Sequence, residues 1–285
     1  KSLHSTQHLH ARELLRGLHL GSAGAHRRAA GRAAGAAGGN LSSSLGNAIA
    51  SITNLGDIFN DGNVAITYVL QDLRSTVNNN QSLQGDLATV PSTLVSYPTA
   101  ENSWGNTIDG NSIERFTSQL KRAAELIEIA PSLGHHRQVI YVHLNGFDTH
   151  DNQADGFPKV MKLLADGLKA FQSDLEGRGV DDRVVTFTQS EFGRTISINS
   201  NGTDHGWGGH QFVMGTPVQG GQVIGALPEF AIGSSDIYQS AFIPQYSVEQ
   251  YAANLSRWFG LSDSDMSGIF PTYSRFDNVN FGLFS

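Results

Sequence analysis

Two long segments with helical spacing alternate with two short apolar runs between residues 113 and 190, and this alternation limits the fold more than any other feature. "SIERFTSQLKRAAELIEIAPSLG" puts Ile113, Phe116, Leu120, Ala123, Ala124 and Ile127 at helical spacing, with Pro131 and Gly134 as the stop. "RQVIYVHLNG" follows as a continuous apolar run, the pattern of a central parallel strand. "FPKVMKLLADGLKAFQSDLEGRG" reads as a second amphipathic helix stopped by Gly177 and Gly179, and "RVVTFTQS" as a second buried strand. The order helix, strand, helix, strand predicts an α/β fold, a mainly parallel sheet flanked by helices on both faces. Further on, "VQGGQVIGALP" predicts a strand with turns. "SVEQYAANLSRWFGL" predicts a helix capped by Ser247, with Glu249 in its first turn.

Upstream the pattern is weaker. Residues 1–40 read as an irregular segment: "HARELLRGLHL" has helical spacing, and "RRAAGRAAGAAGG" frays into a linker. Residues 41–285 are read as a single α/β domain. Its first part, to residue 110, is rich in Ser, Asn, Gly and Thr, with "NVAITYVLQDL" as a strand or short helix. The two "DGN" triplets, at 61–63 and 109–111, read as turns.

Composition excludes several classes of function. The 16% of charged residues and the net charge of −7 argue against nucleic-acid binding through a broad basic face. It has no cysteine, so disulfides, thiolate nucleophiles and cysteine-ligated zinc are ruled out. No apolar run reaches the ~18 residues that span a bilayer. The low charge and the polar Ser/Asn/Gly surface favour an extracytoplasmic or assembled protein.

Polar clusters end both apolar runs. "GFDTHDNQ" follows the first and "SEFGRT" the second, and the carboxyl ends of strands are where α/β sheets gather function. Asp148 and His150 form a D-x-H unit able to offer one oxygen and one imidazole nitrogen to a cation. Glu191 offers a further carboxylate, and His205 and His210 lie on the glycine-rich stretch "GTDHGWGGH". Such ligands suit Zn, Mn or Mg, and Arg194 is placed to hold an anion bidentately. Plainer readings stand beside these. An Asp at a strand end also caps turns, Glu191 and Arg194 at i, i+3 also pair with each other, and His143 within the first run reads as a core histidine.

The blocks "GFDTHDNQ", "FQSDLEGRG", "VVTFTQSEFGRT", "NGTDHGWGGHQFVMG", "VQGGQVIGALP" and "IPQYSVEQYAANLSRWFGL" resemble the DUF1501 family, bacterial proteins of uncharacterised function placed in the alkaline phosphatase-like superfamily. The resemblance runs from about residue 113 to 276. It implies an exported protein, periplasmic or extracellular, since members usually carry a twin-arginine-type signal. It also implies chemistry at phosphate or sulfate esters, with two metals held by Asp and His and a Ser or Thr nucleophile. Asp148 and His150 resemble the first Asp…His ligand pair, and His205 or His210 the late histidine ligand. Glu191 and Phe192 stand where an Asp-His pair is usual; a phenyl ring cannot ligate, which implies a reduced metal site. The family's opening strand and glycine-rich acidic loop are not found here. "LHSTQHLH" weakly resembles the segment after them, so the chain is expected to begin inside the domain. Two functions follow as expectations. One is a metal-dependent hydrolase of small anionic esters. The other is a non-catalytic extracellular structural, filament or surface-layer protein that forms homo-oligomers or larger assemblies.

Overall fold

A computed structural model describes residues 82–99, 110–231 and 233–284. The expected elements at 1–40, "NVAITYVLQDL" and the first "DGN" lie outside the described residues. The chain divides into two compact units. The described part of the smaller one comprises 82–91 and 129–134. Residues 82–87 are helical, and Thr89 donates to the Asp86 carbonyl at 2.6 Å. The 129–134 turn closes with Gly134 N–H on the Pro131 carbonyl at 3.0 Å, where Gly134 takes φ 66°.

The larger unit is built on two helices, α1 (Gly110–Ile129) and α2 (Gln153–Arg178). Gly110 and Asn111, expected in a turn, already belong to α1. Its apolar face buries Ile113, Phe116, Leu120, Ala123 and Ala124 against Val160, Leu163, Phe171 and Leu175 of α2. The helices approach closely at Gly167, where a Cβ would come within 2.5 Å of Phe116 Cε1. Gly179 ends α2 in the left-handed region, its N–H returning to the Glu176 and Leu175 carbonyls. A strap at 92–99 is tied to α2 by buried Asp174, which accepts from Leu94 N at 3.1 Å, Tyr97 Oη at 2.9 Å and Arg178 Nε at 3.0 Å.

The parallel sheet is not there. Among the described residues, strand is confined to two small antiparallel sheets. One pairs β1 (Thr186–Phe187) with β4 (Val213–Met214). The other has the order β3-β2-β6-β5, from β2 (Gly193–Asn199), β3 (Gly202–Gly206), β5 (Ile237–Tyr238) and β6 (Ala241–Phe242). The run 137–146 forms no strand. The backbone of His143 is met by a side chain instead: Gln119 donates to its carbonyl at 3.2 Å and accepts from its N–H at 3.1 Å. Only one face of the run is covered. Val142 and Leu144 pack on the helical core, while Tyr141 is 63% exposed. His143, expected in the core, is exposed and stacks on Tyr141. The apolar residues were thus read correctly as core-seeking, but a continuous run cannot tell two-sided from one-sided burial. Likewise "RVVTFTQS" contributes only the two-residue β1, and "VQGGQVIGALP" only a bridge from Val218 to Phe284.

The C-terminal part packs on α3 (Val248–Trp258) and α4 (Asp263–Ile269). Ser247 caps α3 in a reciprocal box with Gln250, as its sequence predicts. Ala252 and Ala253 of α3 pack with Met266 and Phe270. Asn254 fastens the C-terminal stretch, donating to the Val279 carbonyl at 2.9 Å and accepting from Phe281 N at 3.0 Å.

Candidate metal centre

The loop 147–152 leads into α2, and the β2–β3 hairpin lies against it. Gln153 N donates to the Asn201 carbonyl at 3.0 Å and Thr203 N to the Thr149 carbonyl at 3.4 Å. The hairpin turns in two residues, with Ser200 at φ 60°, in the left-handed region that tight hairpins require. Glycines permit the closeness. A Cβ on Gly202 would run into the His150 carbonyl group, and one on Gly206 would approach the Arg194 carbonyl oxygen to 2.7 Å.

This packing brings Asp148, His150 and His205 together, although they are up to 57 residues apart in sequence. Asp148 Oδ1 lies 2.8 Å from His205 Nε2 and 3.0 Å from His150 Nε2, and the two Nε2 atoms are 3.2 Å apart. Two ring nitrogens and one carboxylate oxygen therefore form a nearly equilateral triangle. Hydrogens on both Nε2 atoms would point at each other across its third side. One cation satisfies all three atoms: ligand bonds of about 2.0–2.1 Å set neighbouring donors roughly 3 to 3.4 Å apart in common coordination geometries. The donor set fits a zinc-like divalent ion. The side chains of Asp148 and His150 are 60% and 46% exposed, which leaves one side of the triangle open to solvent.

The surrounding groups fix the triangle's members. Arg194 donates to the Thr203 carbonyl at 2.7 Å, to the Phe147 carbonyl at 2.5 Å and to Asp148 Oδ1 at 3.3 Å, so its fork ties the loop to β3. Phe192 lies flat on the His205 ring, with centroids 3.8 Å apart and planes within 4°. The Arg194 guanidinium carbon is 4.9 Å from the centre of the same phenyl ring. The hydrogen bond with His205 holds the Asp148 carboxyl below the usual carboxylate range. Slight desolvation opposes this, and the charges of His205, His150 and Arg194 reinforce it.

The other expected site residues stand outside the triangle. Glu191 is exposed and interacts electrostatically with Tyr141; His210 is exposed and belongs to no ligand cluster among the described residues. His205 is carried by a strand rather than a loop. Sequence reasoning missed Asp204, whose Oδ1 lies 3.4 Å from His150 Nδ1. A regular strand would send Asp204 and His205 to opposite faces. The β2–β3 ladder is irregular between the pairs Arg194–His205 and Ile198–Thr203: three residues of β2 face Asp204 alone, a bulge that re-aims side chains. The only sequence signal was the adjacency of Asp204 to His205.

Fold and site together define a helix-based body with small antiparallel sheets and an open Asp-His-His cluster suited to a cation. The family model described as "Protein of unknown function (DUF1501)" matches residues 132–267, just under half of the chain, and that stretch contains the whole triangle. No curated protein and no solved structure matches the chain.

Proposed function

We propose that Asp148, His150 and His205 bind one divalent cation, Zn, Mn or Mg with zinc favoured by two imidazoles, and that the site hydrolyses small anionic phosphate or sulfate esters in an exported protein. The observation that carries this is the triangle of donors at 2.8, 3.0 and 3.2 Å with one face open. Closed structural sites surround their ion; hydrolytic ones keep a position free. A bound divalent ion supplies Lewis acidity toward an ester oxygen. The chain's own groups do the rest. Asp148 contributes the negative charge, Arg194 aligns Asp148 through Phe147 and Thr203, and Phe192 fixes the plane of His205. The expected exported location is supported by low charge and the family resemblance.

The test is metal content of the purified protein, with turnover of p-nitrophenyl phosphate and p-nitrophenyl sulfate in added Zn or Mn. One equivalent of metal and turnover, both lost in Asp148→Ala, support the reading. Metal without turnover leaves a binding protein, and neither metal nor turnover removes the proposal.

A second reading, a non-catalytic extracellular structural component, has its own observation. Ile198, Val223, Leu227 and Phe230 are large apolar side chains that are mostly exposed, Val223 at 85%. Large assemblies by light scattering, with no metal, would favour it.

A further inference from the structure

We infer that Asp204 is a positioning residue for the metal centre: its carboxylate holds the His150 ring in the tautomer that turns a bare Nε2 into the triangle. This rests on the cation reading of Asp148, His150 and His205. An imidazole ligates through a nitrogen that carries no hydrogen, so its other nitrogen must carry one, and that N–H needs an acceptor. His150 Nε2 faces Asp148 and His205, which leaves Nδ1 as the protonated nitrogen. Asp204 Oδ1 is 3.4 Å from that Nδ1. The contact is long for a hydrogen bond, of the kind that tightens when the ligand is drawn onto an ion.

Asp204 is itself held in place. Asn199 Nδ2 donates to Asp204 Oδ1 at 2.9 Å, and the backbone N–H of Asp204 donates to Thr195 Oγ1 at 3.1 Å. Both partners lie on β2: Thr195 is the first of the three residues that bulge opposite Asp204, and Asn199 lies just beyond them. The bulge therefore has a specific consequence: Asp204 and its strand neighbour His205 both address His150, one at each ring nitrogen. Carboxylate–histidine–metal arrangements raise ligand basicity and fix ring orientation, and losing the outer partner costs about 10–100-fold in metal affinity.

The experiment measures two quantities in the wild type, Asp204→Ala and Asp204→Asn. The first is the tautomer of His150 in the metal-free protein, from long-range ring ¹⁵N–¹H correlations. The second is zinc affinity by competition with a chromophoric chelator. The expected result is an Nδ1–H tautomer in the wild type that shifts toward Nε2–H in Asp204→Ala, with zinc affinity down about tenfold or more. Asp204→Asn, which keeps an acceptor oxygen, is expected to fall between. An Nε2–H tautomer in the wild type, or one unchanged in Asp204→Ala, overturns the inference. A wild type that takes up no zinc removes the cation reading instead, and the tautomer measurement still decides the role of Asp204. Unchanged shifts in α2 and α3 exclude misfolding as the cause.

Discussion

Replacing Gly202 by alanine should pull the metal centre apart without touching a ligand. The added Cβ would overlap the His150 carbonyl group and lie 2.6 Å from the Thr149 carbonyl oxygen. Ordinary contact begins near 3.4 Å, so the loop or the hairpin must give way by about an ångström. Both obstructing groups are backbone, so no side chain can swing aside. Ligand positions tolerate only about 0.2 Å, and an ångström of misplacement costs about 10²-fold in geometry-dependent chemistry. The stability cost is of the overpacking kind, about 1–3 kcal/mol. Gly202→Ala is therefore expected to bind zinc at least about 100-fold more weakly, with Tm lower by several degrees. Gly220→Ala is the control, since nothing lies within 4 Å of its Cβ position. Isothermal titration with zinc and a thermal melt read both effects. Wild-type zinc affinity in Gly202→Ala would refute the idea that close apposition of hairpin and loop builds the site.

Three further outcomes are expected. Phe192→Ala removes the ring stacked on His205 and should weaken zinc binding about three- to tenfold, the value of an aromatic pair; unchanged affinity in a chelator competition would deny it a part in orienting the ligand. Asp174→Ala removes one carboxylate partner of the buried Arg178 side chain and the acceptor of Leu94 N and Tyr97 Oη, and should cost about 3–5 kcal/mol in urea denaturation; a loss under about 1 kcal/mol would mean that this network does not hold the strap. Burial pushes the Glu125 carboxyl up, with Asp174 adding and Arg122 and Arg178 opposing. Because folding raises that pKa, ionisation of Glu125 opposes folding above the carboxylate range and not below it. Glu125→Gln should therefore raise Tm at pH 7, the gain shrinking as pH falls through the raised folded-state pKa and gone below about 4.5; a lower Tm at pH 7 would show that the ion pair of Glu125 with Arg122 outweighs burial.

What the sequence disclosed, and what it hid, follows from the range of the forces involved. Helices α1, α2 and α3 were legible because their patterns are local: apolar spacing, the stops at Pro131 and Gly179, and the Ser247 cap. Asp148, His150 and His205 could be named from the sequence as candidates, and the structure brings them together; an Asp after an apolar run also caps turns, so no local pattern separated the two roles. The sheet was not legible. Apolar residues at 139–144 report that a surface is covered, not what covers it, and here a helix and a glutamine side chain do part of what neighbouring strands were expected to do. Arg194 was expected to meet an anion; the structure turns its guanidinium to two carbonyls and Asp148. Phe192 could be read only as a residue unable to ligate. Its flat contact with His205 depends on the strand pairing, which no local pattern records.

Zinc-edge X-ray absorption on the zinc-loaded protein tests the central claim most directly. The account predicts two imidazole nitrogens and at least one oxygen at about 2.0–2.1 Å from one zinc, with the imidazole scattering halved in His205→Ala. A spectrum of oxygen ligands alone, or no zinc retained after desalting, would contradict it.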